Sequence, residues 1–216
     1  MTRSLGAGTL LRTILPRAST GEQTMSSTVR YTVTDLEGLP DRLDDTRYEL
    51  IDGELHVSTQ PRVEHQFAAF RVARALDEWS DQSGLGLGLP APGVIFTPED
   101  AVAPDVVWIS HARAAHGIDA GGHFSVAPEL MVEVLSPGSK NQRRDRELKL
   151  KLYAREGVEE YWLVDWTSKT VDVFRRASGE LRHSATLSGP DELTSPLLPG
   201  FSLPLQRLWM PVGYGS

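Results

Sequence analysis

Apolar and polar positions alternate most clearly in Tyr48-Glu49-Leu50-Ile51 and Glu54-Leu55-His56-Val57, two runs separated by Asp52-Gly53. Asp-Gly is a strong hairpin signal, because the favoured two-residue turn needs positive φ at both central positions. With Ile51 opposite Glu54, the two-residue side-chain period puts Glu49, Glu54 and His56 on one face and Leu50, Leu55 and Val57 on the other. One face is then expected to be core and the other polar. Phe67, Phe70, Ala73, Leu76 and Trp79 recur at helical spacing and predict an amphipathic helix over about 65–82. The Gly/Pro-rich stretch 84–93 is expected to end it.

Two later runs are apolar on both faces except for one acid each: Pro104-Asp105-Val106-Val107-Trp108-Ile109 and Leu130-Met131-Val132-Glu133-Val134-Leu135. Such runs read as central strands covered on both sides. After Ser136-Pro137-Gly138 a charged helix is predicted over about 142–156, with Gly157 at the position past its end. Tyr161-Trp162-Leu163-Val164 and Thr170-Val171-Asp172-Val173-Phe174 read as strands paired across Thr167-Ser168. The order of elements predicts an α/β (α+β) class with a central mixed β-sheet flanked by helices. No internal repeat or linker divides the chain, so residues 29–216 are expected to form a single domain.

Composition narrows the chemistry. The chain has 216 residues, no cysteine, and a formal charge of −7 from 22 basic and 29 acidic residues. Disulfides, thiolate zinc sites and cysteine nucleophiles are excluded, and a reducing, cytoplasmic location is expected. Bulk charge argues against a general nucleic-acid coat, so any phosphate-binding surface must be local. No apolar run approaches the roughly 20 residues that span a bilayer, and no membrane association is expected. Residues 1–28 carry Arg3, Arg12 and Arg17 with only a short, broken apolar stretch; a disordered or over-extended leader is expected there, with Met25 as the natural start.

Glu133 carries the most information. An unpaired carboxylate inside Met-Val-Glu-Val-Leu would cost several kcal/mol, so a cation, an ion pair or protonation must compensate it. Asp105 repeats the anomaly one strand earlier, although a strand-start acid can also be exposed. Side by side the two would repel, and a hard divalent cation such as Mg²⁺, or Mn²⁺, would resolve that repulsion. Lys140, Arg143, Arg144, Arg146, Lys149, Lys151 and Arg155 then place seven of the 22 basic residues within residues 140–155. Asp145, Lys149 and Tyr153 lie four apart and share a helix face, which could aim Lys149 at a phosphate. The alternative is a solvated face with intrahelical pairs.

Taken together, Pro104-Asp105, Glu133 in Val-Glu-Val-Leu-Ser-Pro, Asp145 with Lys149 and Tyr153, and Gly157-Val158-Glu159-Glu160-Tyr161-Trp162-Leu163-Val164-Asp165 resemble a bacterial restriction-endonuclease-like family of the PD-(D/E)XK nuclease superfamily. Arg47 to Leu55, His65 and Ser195 to Gly200 match it too, so the resemblance spans about residues 30–210. It implies a restriction-endonuclease-like fold, with Asp105 and Glu133 as metal-binding carboxylates and Glu49 as an additional acid. The superfamily's lysine two residues after the second acid is replaced here by Leu135. Lys149 is the relocated candidate, with Lys151 and Lys140 as substitutes.

The implied activity is Mg²⁺- or Mn²⁺-dependent endonucleolytic hydrolysis of DNA phosphodiesters. The metal would activate water, Lys149 would stabilise developing charge, and no covalent intermediate would form. Arg143, Arg144, Arg146 and Tyr153 are the implied substrate contacts, DNA the implied partner, and a homodimer the implied assembly. A catalytically silent nucleic-acid- or protein-binding module with the same fold is the alternative, and a complex-forming homodimer a third possibility.

Other signals are discounted. His111, His116 and His123 are too irregularly spaced for a zinc site, and Ser136 lacks a nucleophile elbow. His65 reads as a helix cap or a support to the site, and Trp108, Tyr161 and Trp162 as core.

Overall fold

The computed structural model describes residues 29–38, 46–211 and 213. The leader expected at residues 1–28 lies outside the described residues. A short helix α1 (Val33–Glu37) precedes the hairpin β1 (Arg47–Ile51) and β2 (Glu54–Ser58), after which comes the long helix α2 (Val63–Ser83). Strands β3 (Gly86–Pro90), β4 (Val94–Thr97), β5 (Asp100–Val102) and β6 (Val106–Ser110) lead through helix α3 (His111–Ala114) to β7 (Leu130–Val134). Helix α4 (Ser139–Arg143), a π-helical turn (Arg144–Lys149) and helix α5 (Leu150–Glu156) connect β7 to β8 (Glu160–Asp165). Strands β9 (Thr170–Ala177), β10 (Glu180–Ser188), β11 (Glu192–Leu193) and β12 (Leu203–Pro204) and a 3₁₀ turn (Leu205–Leu208) follow.

The central sheet is mixed, with strand order β10-β9-β8-β7-β6-β3. Only β7 and β8 run parallel, joined by the helical crossover; the other neighbours are antiparallel. The expected α+β class with a central mixed sheet is the one observed. A second sheet of order β2-β1-β5-β4 was not anticipated. Among the described residues no helix is long and apolar enough to cross a membrane.

Two-residue alternation divides the core. Val106, Trp108, Leu130, Val132, Trp162 and Val164 pack with α2 on one face, while Val107, Ile109, Met131, Tyr161 and Leu163 pack with Leu152, Tyr153 and Val158 on the other. Every residue of β7 is buried. Its apolar side chains contribute about 1.5–3 kcal/mol each, while burying the charge of Glu133 costs several kcal/mol unless partners offset it.

The hairpin has the expected register, Ile51 opposite Glu54 and Glu49 opposite His56, with Asp52 and Gly53 both at positive φ (50° and 72°). Its faces differ from expectation. Glu49 is 3 % exposed and Val57 is 55 % exposed, because the acid faces a buried cation rather than water.

Helix α2 buries His65, Ala68, Ala69, Val72, Ala73, Leu76 and Ser80, while Phe70 is 59 % exposed. The small residues face inward because β3 packs against the helix backbone: a Cβ at Gly88 would come within 2.8 Å of the Asp77 nitrogen. The glycine-rich stretch ends the helix as expected, with Gly84 as its left-handed cap, and the close approach explains why the glycines that follow form a strand. The charged helix is likewise interrupted at its centre by a π-helical turn, where the Asp145 carbonyl accepts from the Tyr161 hydroxyl at 2.9 Å. Gly157 ends it in the left-handed conformation expected.

Candidate active site

The pairing of Val106 with Val132 continues outward to set Asp105, just before β6, opposite Glu133. Both line a cleft of about 370 Å³ together with Arg47, Glu49, Arg144 and Lys149. The structure thus brings Asp105, Glu133, Lys149 and Glu49 into one place from four separate segments.

Asp105 is held firmly. Its Oδ2 accepts from the Val134 backbone N–H at 2.8 Å and lies 3.2 Å from His65 Nε2, while Oδ1 is 3.6 Å from Arg47 Nη1. Burial disfavours its charge, but the His65 contact and the Val134 N–H outweigh this and keep the carboxyl below its ordinary range. His65 is therefore a support to Asp105, not a helix cap.

Glu133 is held on one oxygen. Its Oε1 accepts from Lys149 Nζ and from the Tyr153 hydroxyl, each at 2.8 Å. Lys149 is also 2.8 Å from Glu49 Oε1 and 3.9 Å from Asp145 Oδ1. One ammonium is shared by three carboxylates, and that arithmetic shifts both partners upward. Burial opposes the lysine charge, but Glu133, Glu49 and Asp145 surround it and keep it protonated. Burial, followed by the nearby Asp105, Asp145 and Glu49 charges, pushes Glu133 up to about 8 despite Lys149. Glu49 goes the other way: burial is overcome by Lys149, Arg144 and the Ala103 N–H, which hold it low.

The basic segment is largely spoken for. Arg144 lies 2.8 Å from Asp145 and 3.5 Å from Glu49, with 12 % of its side chain exposed. Arg146 pairs with Asp172 and Asp165 on β9 and β8, and Arg155 with Asp52, Asp100 and Glu156. Arg143 is exposed beside Glu147, and Lys140 and Lys151 are exposed. Tyr153, expected among the substrate contacts, is fully buried and serves Glu133 instead. Arg47, not singled out in the sequence, lines the cleft next to Asp105; no local signal marks it, because its role follows from the β1–β5–β6 arrangement.

The donor set fits a hard cation. Among the described residues no three His, Asp or Glu side chains form a ready cage. Mg²⁺, however, is ordinarily held by one or two carboxylates, with water and substrate phosphate completing its octahedron. With Asp105 Oδ2 and Glu133 Oε1 engaged, Asp105 Oδ1 and Glu133 Oε2 are the oxygens left to hold it. The upward shift of Glu133 marks a site short of positive charge. His65 Nδ1, buried beside the cleft without a hydrogen-bond partner among the described residues, marks a site whose polar contacts are incomplete.

Residues 33–206 match the model of the Uma2 family, described as "putative restriction endonuclease". Among solved structures, a "putative nuclease belonging to DUF820" from Anabaena variabilis ATCC 29413 aligns with a TM-score of 0.65 at 17 % identity, covering 82 % of this chain and 96 % of that one. At that identity the likeness speaks to fold. No curated protein matches the chain.

Proposed function

The chain belongs to the Uma2 family, and from that premise we propose that it is a divalent-metal-dependent endonuclease that hydrolyses phosphodiester bonds in DNA. The observation that carries this reading is the opposition of Asp105 and Glu133 at the cleft, each with one oxygen engaged by protein donors.

A bound Mg²⁺ or Mn²⁺ would supply Lewis-acid stabilisation of phosphoryl oxygens and lower the pKa of water. The chain's own residues divide the remaining work. Val134 N–H and His65 fix the Asp105 carboxylate, and Lys149 and Tyr153 fix Glu133. Lys149 stays protonated, so it acts as a fixed positive charge against the negative charge developing on the phosphoryl oxygens rather than as a base. Arg47 stands at the cleft as a phosphate contact. Two copies would provide the two sites that cutting both strands requires.

Calorimetric titration of Mg²⁺ and Mn²⁺ into the wild type, Asp105→Ala and Glu133→Ala, followed by plasmid cleavage with the same proteins, tests the reading. Binding and cutting in the wild type, both lost in the variants, are expected. Undiminished cutting by the two variants would overturn it.

The burial of Lys149, 1 % exposed, favours a second reading in which the cluster is structural and the protein is a silent nucleic-acid-binding module. Metal-independent binding without turnover would select it.

A further inference from the structure

A second cavity, of about 490 Å³, opens on the other side of Asp105 and shares Arg47 and Asp105 with the candidate active site. It is lined by Ala69, Phe70 and Ala73 of α2, by Leu89 and Pro90 of β3 and by Ala91 just beyond that strand. The close packing of β3 on α2 at Gly88 shapes this groove, and small residues on the helix keep it open. Gln66, Phe70, Ala73 and Asp77 follow one another at helical spacing along it.

Three features describe what would fill it. Phe70 lines the groove and is 59 % exposed, which leaves an aromatic ring available for stacking. Gln66 and Asp77, both exposed, stand three helical turns apart, roughly 16 Å along the axis of α2, and give the groove polar ends rather than two contacts to one base. Ala91 is held at φ 47°, with its N–H donating to the Asp105 carbonyl at 3.0 Å, so the wall of the groove is tied directly to the residue that carries the candidate metal ligand. A ligand with a phosphate over Asp105 and Arg47 and a flat, apolar-faced plate beside it satisfies both cavities at once.

We infer that the groove between Phe70 and Leu89 is a subsite for one unpaired nucleobase, adjoining the phosphate held at Asp105 and Arg47. The inference deepens the proposed nuclease reading and rests on it: it names the substrate as a nucleic acid with an unpaired nucleotide at the site, either single-stranded or with a base turned out of a duplex. A paired base cannot present its face to Phe70, so stacking there requires the base to leave its partner. Stacking on an aromatic ring tolerates any base, and the groove is therefore a reader of unpairedness rather than of sequence.

The test is fluorescence anisotropy in EDTA, which prevents turnover, with a labelled single-stranded DNA oligonucleotide and with its duplex, using the wild type, Phe70→Ala and Phe70→Trp. Phe70→Ala is expected to weaken single-strand binding roughly 10- to 100-fold, the loss of one base stack, with Phe70→Trp restoring it and a smaller loss for the duplex, which must unpair a base before it can stack. Phe70 is exposed, so matching thermal melts are expected for all three proteins.

Single-strand affinity equal in the wild type and Phe70→Ala, with duplex binding intact, would overturn the subsite and leave the nuclease reading standing. No binding of either form by the wild type would overturn both. A wild-type dimer that Phe70→Ala converts to monomer, with single-strand affinity unchanged, would assign the groove to a second copy of the chain instead.

Discussion

Lys149 Nζ lies 2.8 Å from Glu133 Oε1, and the lysine is 1 % exposed. The same nitrogen is 2.8 Å from Glu49 Oε1, so a single ammonium joins β7 of the central sheet to β1 of the second sheet. The π-helical turn that ends at Lys149 also carries Asp145 and Arg144, and widened turns of this kind recur where a helix is shaped around a site.

Removing that ammonium should be costly in stability as well as activity. Lys149→Met leaves Glu49 and Glu133 buried beside each other without their shared cation, and breaking a buried ion pair from one side costs about 3–5 kcal/mol. Urea denaturation should show a loss of that order for Lys149→Met. Lys149→Met combined with Glu49→Leu should recover part of it, since the carboxylate that stays ionised beside Lys149 then leaves the core together with the ammonium. A loss below about 1 kcal/mol in the single variant would contradict the buried-pair account.

A pH dependence follows from Glu133. Its carboxyl rises from an ordinary value of 4.5 to about 8, because burial and the neighbouring acids outweigh Lys149. The folded protein therefore holds a proton that the unfolded chain releases. The corresponding stability is fully present below about 4.5 and is lost as pH rises towards 8. Metal-free protein should lose stability across that window with a slope approaching about 1.4 kcal/mol per pH unit for one proton. Glu133→Gln should flatten the slope, and the affinity for Mg²⁺, which competes with the proton, should rise over the same window. Asp105 and Glu49 have lowered values, so their contribution is instead lost on acidification below the ordinary carboxylate range. Urea melts from pH 5 to 8.5 would show whether the slope is there.

The sequence disclosed what depends on local pattern. Asp52-Gly53 predicted its hairpin register, and the apolar runs around Asp105 and Glu133 predicted buried strands with acids that need partners. It concealed what depends on distant contact. Glu49 and Lys149 are far apart in the chain, and nothing near Arg146 or Arg155 foretells Asp172, Asp165, Asp52 and Asp100, which neutralise much of the basic segment. One local reading, the apolar face of α2, failed for a steric reason. Where α2 meets β3 the packing is so close that glycine faces Leu76 and Asp77 of the helix, and Phe70 is left outside.

His65 supports Asp105 from α2, so its replacement should be read through Asp105. Groups that orient a metal-binding carboxylate are typically worth 10- to 100-fold in metal affinity or activity. His65→Ala should weaken Mg²⁺ binding and cleavage by that order. His65→Gln, whose amide nitrogen can still donate to a carboxylate, should restore most of both. Calorimetry on the two variants decides it: equal affinity in His65→Ala and the wild type would reduce His65 to a packing residue.

Arg143 and Arg146 separate surface charge from structural charge. The Arg143 side chain is 72 % exposed and makes only a 3.5 Å contact with Glu147, whereas Arg146 is 2.9 Å from Asp172 and 3.6 Å from Asp165. A free guanidinium that meets a phosphate releases counterions, and its removal should lower the slope of log affinity against log salt by about 1. Arg143→Ala should show that change with little effect on stability, because the pair it loses is exposed and weak. Arg146→Ala should leave the salt slope unaltered and lower the melting temperature instead, since Asp172 and Asp165, diagonal neighbours on β9 and β8, would lose their shared cation. Anisotropy titrations at several salt concentrations, paired with melts of the same proteins, would distinguish the two roles. An equal drop in slope for both would mean that the Arg146 pairs open when nucleic acid binds.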